Sequence, residues 1–230
     1  MKLISIIIPC FNEVQTIEEI INRIKKTCKY NHEIIIVDDC STDGTKEKLE
    51  KKISSNVELV IFNERNFGKG HSLRLGIEKA KGDMIIIQDA DLEYDPKDYS
   101  KLIKPILEGN ADVVYGSRFS GSDEKRVLFF WHYVGNRFLT LLSNIFSNLN
   151  LTDMECCYKL FKSSVIKNIK LNEDRFGFEP EITAKISKLN LRIYEVGVSY
   201  HGRKYSEGKK ITWKDGIRAV YCIIRYSLFK

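Results

Sequence analysis

Residues 83–92 read DMIIIQDADL: an apolar run, a glutamine, and then two aspartates separated by one alanine. An apolar run without alternation is typical of a strand that is buried on both faces of a parallel sheet. Asp89 and Asp91 then follow the carboxyl end of that strand, the edge at which open α/β sheets bind ligands. The segment therefore predicts an α/β fold with an acidic site at this edge.

Comparable apolar runs occur on both sides of this segment and alternate with helical patterns. The isoleucines at 17, 20, 21 and 24 fall on one face of a helix, and Thr16 with Glu19 fits a capping box at its start. Such alternation predicts a Rossmann-like, mainly parallel central sheet flanked by helices. The runs that we interpret as strands are LISIIIP (3–9), EIIIVD (33–38), VELVIF (57–62), DMIIIQ (83–88) and ADVVYGSR (111–118).

Two long helical patterns occupy the second half of the chain, at 127–149 and 213–229. In the first, polar residues from His132 to Ser147 recur every three or four positions, while most other positions are apolar. A wide apolar face of this kind favours packing in the protein core, and it also suits a membrane interface. The second pattern mixes aromatic, aliphatic and basic residues, which again indicates an interfacial surface.

Composition and charge restrict the class of protein. The 230 residues include 37 Lys and Arg against 31 Asp and Glu, and the basic excess lies in residues 201–230. A basic segment can bind the phosphates of a nucleotide, a nucleic acid or an anionic lipid surface. The six cysteines have no CxxC spacing, and no apolar run reaches the roughly 18 residues of a membrane span. We expect a cytoplasmic protein with reduced thiols.

Several common sites are excluded by their missing motifs. PCFNE (9–13) lacks the glycines of a dinucleotide site, and the chain has no GxxxxGK[ST], HExxH or GxSxG segment. The candidate site that remains after these exclusions is the group of carboxylates that follow predicted strands. An acid pair such as Asp89 and Asp91 can hold a hard divalent cation together with substrate phosphates, although a solvated turn or a helix cap is the alternative.

Five segments resemble, in order, the motifs of family 2 glycosyltransferases with the GT-A fold. The resemblance runs from residue 3 to about 215, and the chain is most similar to the polyprenyl-phosphate (dolichol-phosphate mannosyltransferase) branch. It implies one GT-A catalytic domain, with a donor-binding half at 1–120 and an acceptor-binding half with amphipathic helices at 121–230. The segments are IIIPCFNE (6–13), VDDCSTDGT (37–45), NFGKG (66–70), DADL (89–92) and GSR (116–118).

For the donor, the resemblance implies a nucleotide sugar, either GDP-mannose or a UDP-sugar, with Mg²⁺ or Mn²⁺ at its diphosphate. Asp91, with Asp89 and Glu93, is expected to ligate the cation, which offsets charge on the departing nucleoside diphosphate. Glu93 stands where this branch often has glutamine. The residues assigned to the donor are Pro9, Phe11, Glu13, Asp39, Lys69, Asp89, Ala90, Asp91, Arg203, Lys209 and Lys210.

For the acceptor, the resemblance implies a polyprenyl phosphate held by Arg118. The branch tends to supply a second arginine where this chain has Phe129, Phe130 and Trp131. The candidates to substitute for it are Arg126, His132 and Arg137, of which Arg126 and His132 are assigned to the acceptor.

The family inverts configuration by direct displacement, and the residues expected to act in catalysis are Asp89, Asp91, Arg118 and Asp153. A phosphate acceptor needs no general base, whereas a sugar hydroxyl does. Asp153, Glu179 and Glu181 are the candidates for such a base. Glu179 and Glu181, on either side of Pro180, equally fit the start of a helix.

Alternatives remain open at this stage. The acceptor can instead be a glycan or a lipid-linked oligosaccharide, and the chain can be a non-catalytic nucleotide-sugar-binding partner subunit. Nucleic-acid binding has no supporting motif. We expect peripheral contact with the cytoplasmic face of a membrane through the amphipathic helices and the basic segment, and we leave open a homo-oligomer or a membrane partner.

Overall fold

A seven-stranded mixed sheet forms the centre of the computed structural model, which describes residues 2–121, 126, 127, 129–203, 210 and 212–229. The strands are β1 (Ile4–Cys10), β2 (His32–Asp38), β3 (Leu59–Phe62), β4 (Met84–Ile87), β5 (Val113–Ser117), β6 (Lys159–Lys162) and β7 (Ile193–Gly197). Their order across the sheet is β3-β2-β1-β4-β6-β5-β7. The first four are mutually parallel, β6 is antiparallel to β4 and β5, and β7 is parallel to β5. The predicted mainly parallel sheet is confirmed.

Helices flank the sheet. In the described part of the chain they are α1 (Ile17–Thr27), α2 (Thr45–Lys48), α3 (Lys69–Lys79), α4 (Tyr99–Leu107), α5 (Phe130–Ser147), α6 (Ser163–Ile166), α7 (Phe178–Ile186) and α8 (Trp213–Leu228). A π-helical segment, Leu49–Ile53, continues α2, and a 3₁₀ turn, Pro96–Asp98, precedes α4. Asp95 caps that turn by accepting a hydrogen bond from the backbone N–H of Lys97.

The first helix confirms its predicted face but not its predicted cap. Ile17, Ile20, Ile21 and Ile24 are all buried against the sheet. The capping box expected for Thr16 is wrong: its hydroxyl donates to the backbone and the side chain of Glu13 instead. Because Glu13 captures this hydroxyl, the Thr16 side chain makes no capping hydrogen bond to the first turn of the helix.

Strands from both halves of the chain belong to one sheet. Strand β6 inserts between β4 and β5, so residues after 120 contribute to the centre of the fold. Asp112, just before β5, accepts hydrogen bonds from Arg192 and Lys162, which lie beside β7 and in β6. The division near residue 120 therefore separates no structural units, and it stays a prediction about which half binds donor and which binds acceptor.

Helix α5 turns part of its polar face inward and exposes much of its apolar face, the reverse of a helix that packs in the core. Thr140 and Ser143 of its polar stripe are buried, whereas Trp131 is 76% exposed and Ile145 is 67% exposed. The expectation that its apolar face packs in the core is wrong for most of that face, because the stripe forms hydrogen bonds with the turn at 151–154. Helix α8 packs beside α5 and also exposes large apolar residues. No helix among the described residues is both long and apolar enough to span a membrane.

Gly76 gives a test of how tightly α3 packs on the central strand. A Cβ added at Gly76 would lie 2.4 Å from Cγ2 of Ile7 in β1, whereas a Cβ at Gly216 of α8 would meet no atom within 4 Å. We expect Gly76→Ala to lower the free energy of unfolding by about 1–3 kcal/mol through overpacking. Gly216→Ala should raise it by up to about 1 kcal/mol through helix propensity. Urea denaturation measures both, and equal effects of the two variants would contradict this packing.

Candidate active site

One cavity of about 780 Å³ lies at the carboxyl ends of the parallel strands. Segments that follow β1, β2, β4 and β5 form its floor, and α3, α5, α7 and α8 contribute to its walls. This position matches the edge at which open α/β sheets bind ligands. The predicted site residues that line it are Pro9, Phe11, Glu13, Asp39, Lys69, Asp89, Ala90, Asp91, Glu93, Arg118, His132, Arg203 and Lys210.

Two other predicted residues, Asp153 and Arg126, do not line the cavity. Asp153 is completely buried beneath Arg118. Arg126 donates to the backbone carbonyl of Gly202, outside the lining. Lys209 lies outside the described residues. Sequence motifs therefore located most of this cavity, but they did not separate the residues that face it from those that support it.

Asp39 organises the side of the cavity next to β2. Its carboxylate accepts hydrogen bonds from the side chain of Asn63 at 2.8 Å and from the backbone N–H groups of Phe67 and Gly68 at 2.9 and 2.7 Å. Gly68 has φ +108°, and a Cβ there would lie 2.4 Å from the carbonyl oxygen of Asp174. Only glycine fits this close approach, which places Lys69 at the start of α3 beside the cavity. The contact of Asp39 with a nucleoside stays a prediction.

Lys69 bridges two carboxylates in the cavity wall. Its Nζ lies 2.9 Å from Oδ1 of Asp89 and 3.0 Å from Oε1 of Glu179. Burial alone would lower the pKa of Lys69, but the adjacent negative charges raise it well above its usual range. Burial likewise opposes ionisation of Asp89, and Lys69 reverses that effect and lowers the Asp89 pKa. Lys69 and Asp89 are therefore both ionised at neutral pH.

Asp91 and Glu93 share one cation, Arg203. The guanidinium Nη2 lies 3.0 Å from Oδ2 of Asp91 and 3.1 Å from Oε1 of Glu13, and the Arg203 backbone N–H donates to Glu93 at 2.7 Å. Burial, followed by the negative charges of Asp89 and Glu93, raises the pKa of Asp91 to about 7 in spite of Arg203. This corner of the cavity therefore holds more negative charge than its own cations neutralise.

The acidic corner has the chemistry of a hard-cation site without a closed cage. Over the described ranges, no three His, Cys, Asp or Glu side chains are grouped as metal ligands. Magnesium-type sites commonly use one or two carboxylates and take their remaining ligands from substrate phosphates and water. The oxygens of Asp91, and the surplus negative charge around them, fit a site of that open kind.

Arg118 lies in the cavity wall and is held by Asp153. Its Nε and Nη2 donate to the two carboxylate oxygens of Asp153 at 2.7 and 2.6 Å, and Nη2 also reaches Asn136 of α5 at 3.4 Å. A two-point fork of this kind fixes the plane of the guanidinium. Both oxygens of Asp153 accept from Arg118, and the residue is completely buried outside the cavity lining, so this carboxylate positions Arg118.

The sequence model of Glycosyl transferase family 2 matches residues 5–170. The chain belongs to this family. The matched region includes β1 to β6 and contains Asp39, Asp89, Asp91, Arg118 and Asp153. Glu179 of α7 and Arg203 lie beyond it, although both contribute to the same cavity.

Two curated relatives of this family 2 chain act on lipid phosphates, according to their names. It is 28% identical over 211 residues to dodecaprenyl-phosphate galacturonate synthase of Rhizobium johnstonii, which covers 90% of this chain and 61% of the relative. It is 26% identical over 215 residues to undecaprenyl-phosphate 4-deoxy-4-formamido-L-arabinose transferase of Aeromonas hydrophila, with coverages of 91% and 63%. The chain thus spans about three fifths of the length of these relatives.

A solved structure confirms the GT-A fold. Glucosyl-3-phosphoglycerate synthase from Mycobacterium tuberculosis, crystallised with Mn²⁺, UDP and glucosyl-3-phosphoglycerate, superposes with a TM-score of 0.77 at 19% identity. The match covers all of this chain and 81% of the other.

Sequence reasoning missed several polar residues of the cavity wall, among them Glu155, and did not distinguish two acids of α7. Glu155 lines the cavity, two positions after Asp153. The sequence signal for Glu155 was its position as the second acid of an Asp-x-Glu pair with Asp153. Glu179 also lines the cavity, whereas Glu181 accepts hydrogen bonds from the backbone N–H groups of Asn172 and Glu173. Glu181 thus stabilises a turn next to α7, and Glu179 is the one that lines the cavity.

Replacement of Lys69 tests the charge balance of this wall. We expect Lys69→Met to lower the free energy of unfolding by roughly 2–3 kcal/mol, because Asp89 and Glu179 then lose the cation between them. The double variant Lys69→Met/Glu179→Gln should recover part of this loss. The exposed Lys79→Met is the matched control. Urea denaturation of the wild type, Lys69→Met, Glu179→Gln, the double variant and the control measures the coupling, and strictly additive effects of the two single variants would contradict the bridge.

Proposed function

We propose that this family 2 chain transfers a hexose from a nucleoside-diphosphate sugar to a polyprenyl phosphate. The observation that carries the proposal is the composition of the cavity. Carboxylates at the ends of β1 and β4 face one part of it, and the oriented cation Arg118 faces another. The names of both curated relatives, which specify dodecaprenyl and undecaprenyl phosphates, support the same acceptor class.

The donor diphosphate is proposed to bind beside Asp91 with Mg²⁺ or Mn²⁺. Carboxylate oxygens of Asp91, with Asp89 and Glu93 nearby, would hold the cation, and Arg203 and Lys210 lie beside them. When bound, such a cation offsets the charge that develops on the departing diphosphate. The Mn²⁺ and UDP named for the Mycobacterium tuberculosis enzyme support this choice of ligands.

The reaction is proposed to be a single displacement at the anomeric carbon. An oxygen of the acceptor phosphate forms the new bond to that carbon, the bond to the donor diphosphate breaks, and the configuration inverts. The acceptor is already an anion at neutral pH, so no proton has to be removed. Arg118 would hold the acceptor phosphate, and Asp153 orients it. The engagement of Asp153 by Arg118 removes Asp153 as the general base that a sugar hydroxyl would need.

Contact with a lipid surface is proposed to bring the acceptor to the cavity. Exposed apolar side chains of α5 and α8 form what we call the apolar face. Soluble proteins rarely expose so many large apolar side chains together, and such patches mark interaction surfaces. The same two helices contribute Gly135, Asn136, Gly216 and Ala219 to the cavity wall. The residues of the apolar face are Phe130, Trp131, Phe138, Leu141, Ile145, Trp213, Ile217, Tyr221, Ile224 and Leu228.

A transfer assay tests the proposed reaction. Purified protein is incubated with UDP- or GDP-sugars, Mn²⁺ and undecaprenyl phosphate in detergent, and the glycolipid is identified by mass spectrometry. We expect product with donors of one nucleotide base only, uracil or guanine, and no product after EDTA is added. For Asp91→Asn we expect kcat/KM to fall by at least about a hundredfold. Glu78→Gln, an exposed acid of α3, is the matched control.

Binding measurements separate the possible outcomes of this assay. Thermal shifts with UDP or GDP and Mn²⁺ report the donor site by itself. If the donor nucleotide gives a thermal shift and product forms on a glycan but not on lipid phosphates, the acceptor is a glycan and the proposed acceptor is wrong. A shift without product on any acceptor would favour a non-catalytic nucleotide-sugar-binding subunit.

Vesicle flotation tests the apolar face. We expect wild-type protein to float with vesicles that contain anionic phospholipid, and Phe138→Gln/Leu141→Gln to float at least several-fold less with an unchanged Tm, because both side chains are already exposed. Leu107→Gln, an exposed apolar residue of α4, is the control. Equal flotation of the double variant and the wild type would exclude the apolar face as the lipid contact.

A further inference from the structure

One carboxylate oxygen of Glu155 has no hydrogen-bond partner among the described residues. The side chain lines the cavity, and its Oε1 is buried and has no hydrogen bond within the described part of the protein. Buried polar atoms are nearly always paired, so an unpaired one needs an explanation. A carboxylate oxygen that faces a cavity and lacks a donor is complementary to a ligand that supplies one.

The turn that carries Glu155 is rigid on both sides. Asp153 is fixed by Arg118, and the backbone N–H of Met154 donates to Thr140 of α5 at 3.1 Å. The buried Lys159 donates to the carbonyls of Met154 and Cys156, the two neighbours of Glu155. Hydrogen bonds on both sides fix the backbone from which the Glu155 side chain extends into the wall, and a fixed backbone helps to preorganise a binding site.

Its surroundings define what Glu155 can bind. Burial, followed by the charge of Glu179, raises the pKa of Glu155 to about 7, and the cations Lys159 and Arg118 act in the opposite direction. A phosphate oxygen would be repelled by this carboxylate. A hydroxyl or an ammonium group would be attracted, since each donates a hydrogen. Glu155 shares the cavity with Arg118 on the proposed acceptor side and with Asp89 and Lys69 on the proposed donor side.

We propose that Glu155 is a specificity residue that accepts a hydrogen bond from a hydroxyl or ammonium group of the transferred sugar. The inference rests on the proposed function, because the sugar is the part of the two substrates that lies between the donor diphosphate and the acceptor phosphate. Nothing in the proposed displacement requires Glu155. Its contribution is to the choice of sugar.

Stability gives the first test, which needs no substrate. We expect Glu155→Met to raise Tm by a few degrees, because it removes a buried, unpaired carboxylate oxygen and keeps a similar volume. Glu179→Gln, which weakens the paired carboxylate beside Lys69, should lower Tm. A lower Tm for Glu155→Met would show that this carboxylate has a structural partner, and it would overturn the inference.

Selectivity among donors gives the second test. The sugar nucleotide that is active in the transfer assay is compared with its single deoxy analogues. We expect wild-type protein to disfavour one analogue by about tenfold or more in kcat/KM, and Glu155→Met to reduce that ratio below about threefold. Glu155→Gln, which keeps a carbonyl acceptor, should retain part of the ratio. The Kd for free UDP or GDP should change less than twofold in both variants.

Two further comparisons complete the design. A pair such as UDP-glucosamine and UDP-N-acetylglucosamine separates an ammonium donor from a hydroxyl donor. Equal selectivity of wild type and Glu155→Met on all analogues overturns the inference while the proposed function stands. Failure of wild-type protein to form any glycolipid overturns the proposed function, and the inference falls with it.

Discussion

Repulsion among carboxylates at one edge of the sheet is the constraint on which the rest of this structure depends. Parallel strands place their carboxyl ends side by side, so Glu13, Asp39, Asp89, Asp91 and Glu93 converge on one cavity. Each ionised group there needs a cation or hydrogen-bond donors, because burial without compensation is costly. The loops and helices around the cavity are arranged to supply them.

The compensating groups come from distant parts of the chain. Asp39 is satisfied by backbone N–H groups of the loop before α3, and Asp89 by Lys69. Glu13 and Asp91 instead rely on Arg203, more than a hundred residues further along the chain. Formation of the site therefore depends on the packing of the whole chain. Even then the negative charge around Asp91 is not fully compensated, and a bound cation would neutralise the excess.

Local sequence predicts the parts of this molecule that are governed by local rules. The isoleucine-rich strands β1, β2 and β4 and the face of α1 follow from their apolar patterns, and the acids follow from their place after the strands. Strands β6 (KLFK) and β7 (IYEVG) went unpredicted, because neither has the unbroken apolar run of β1, β2 and β4 and both are defined by pairing with β4 and β5. The prediction that Thr16 caps α1 was wrong for a similar reason, because its hydroxyl donates to Glu13 instead. Glu155 could not be singled out, because its lack of a partner is a property of the folded turn.

The inward polar stripe of α5 has a consequence for how the protein opens locally. Thr140 and Asn144 attach the helix to the turn at 151–154 through hydrogen bonds, while much of its apolar surface is already exposed to solvent. Release of α5 from α7 and α8 would therefore uncover mainly the partly buried Leu139, Leu142 and Phe146, which is less apolar area than a core helix buries, and openings that uncover little area depend weakly on denaturant. In native-state hydrogen exchange, α5 would belong to a unit of low stability and small m-value, distinct from the central strands.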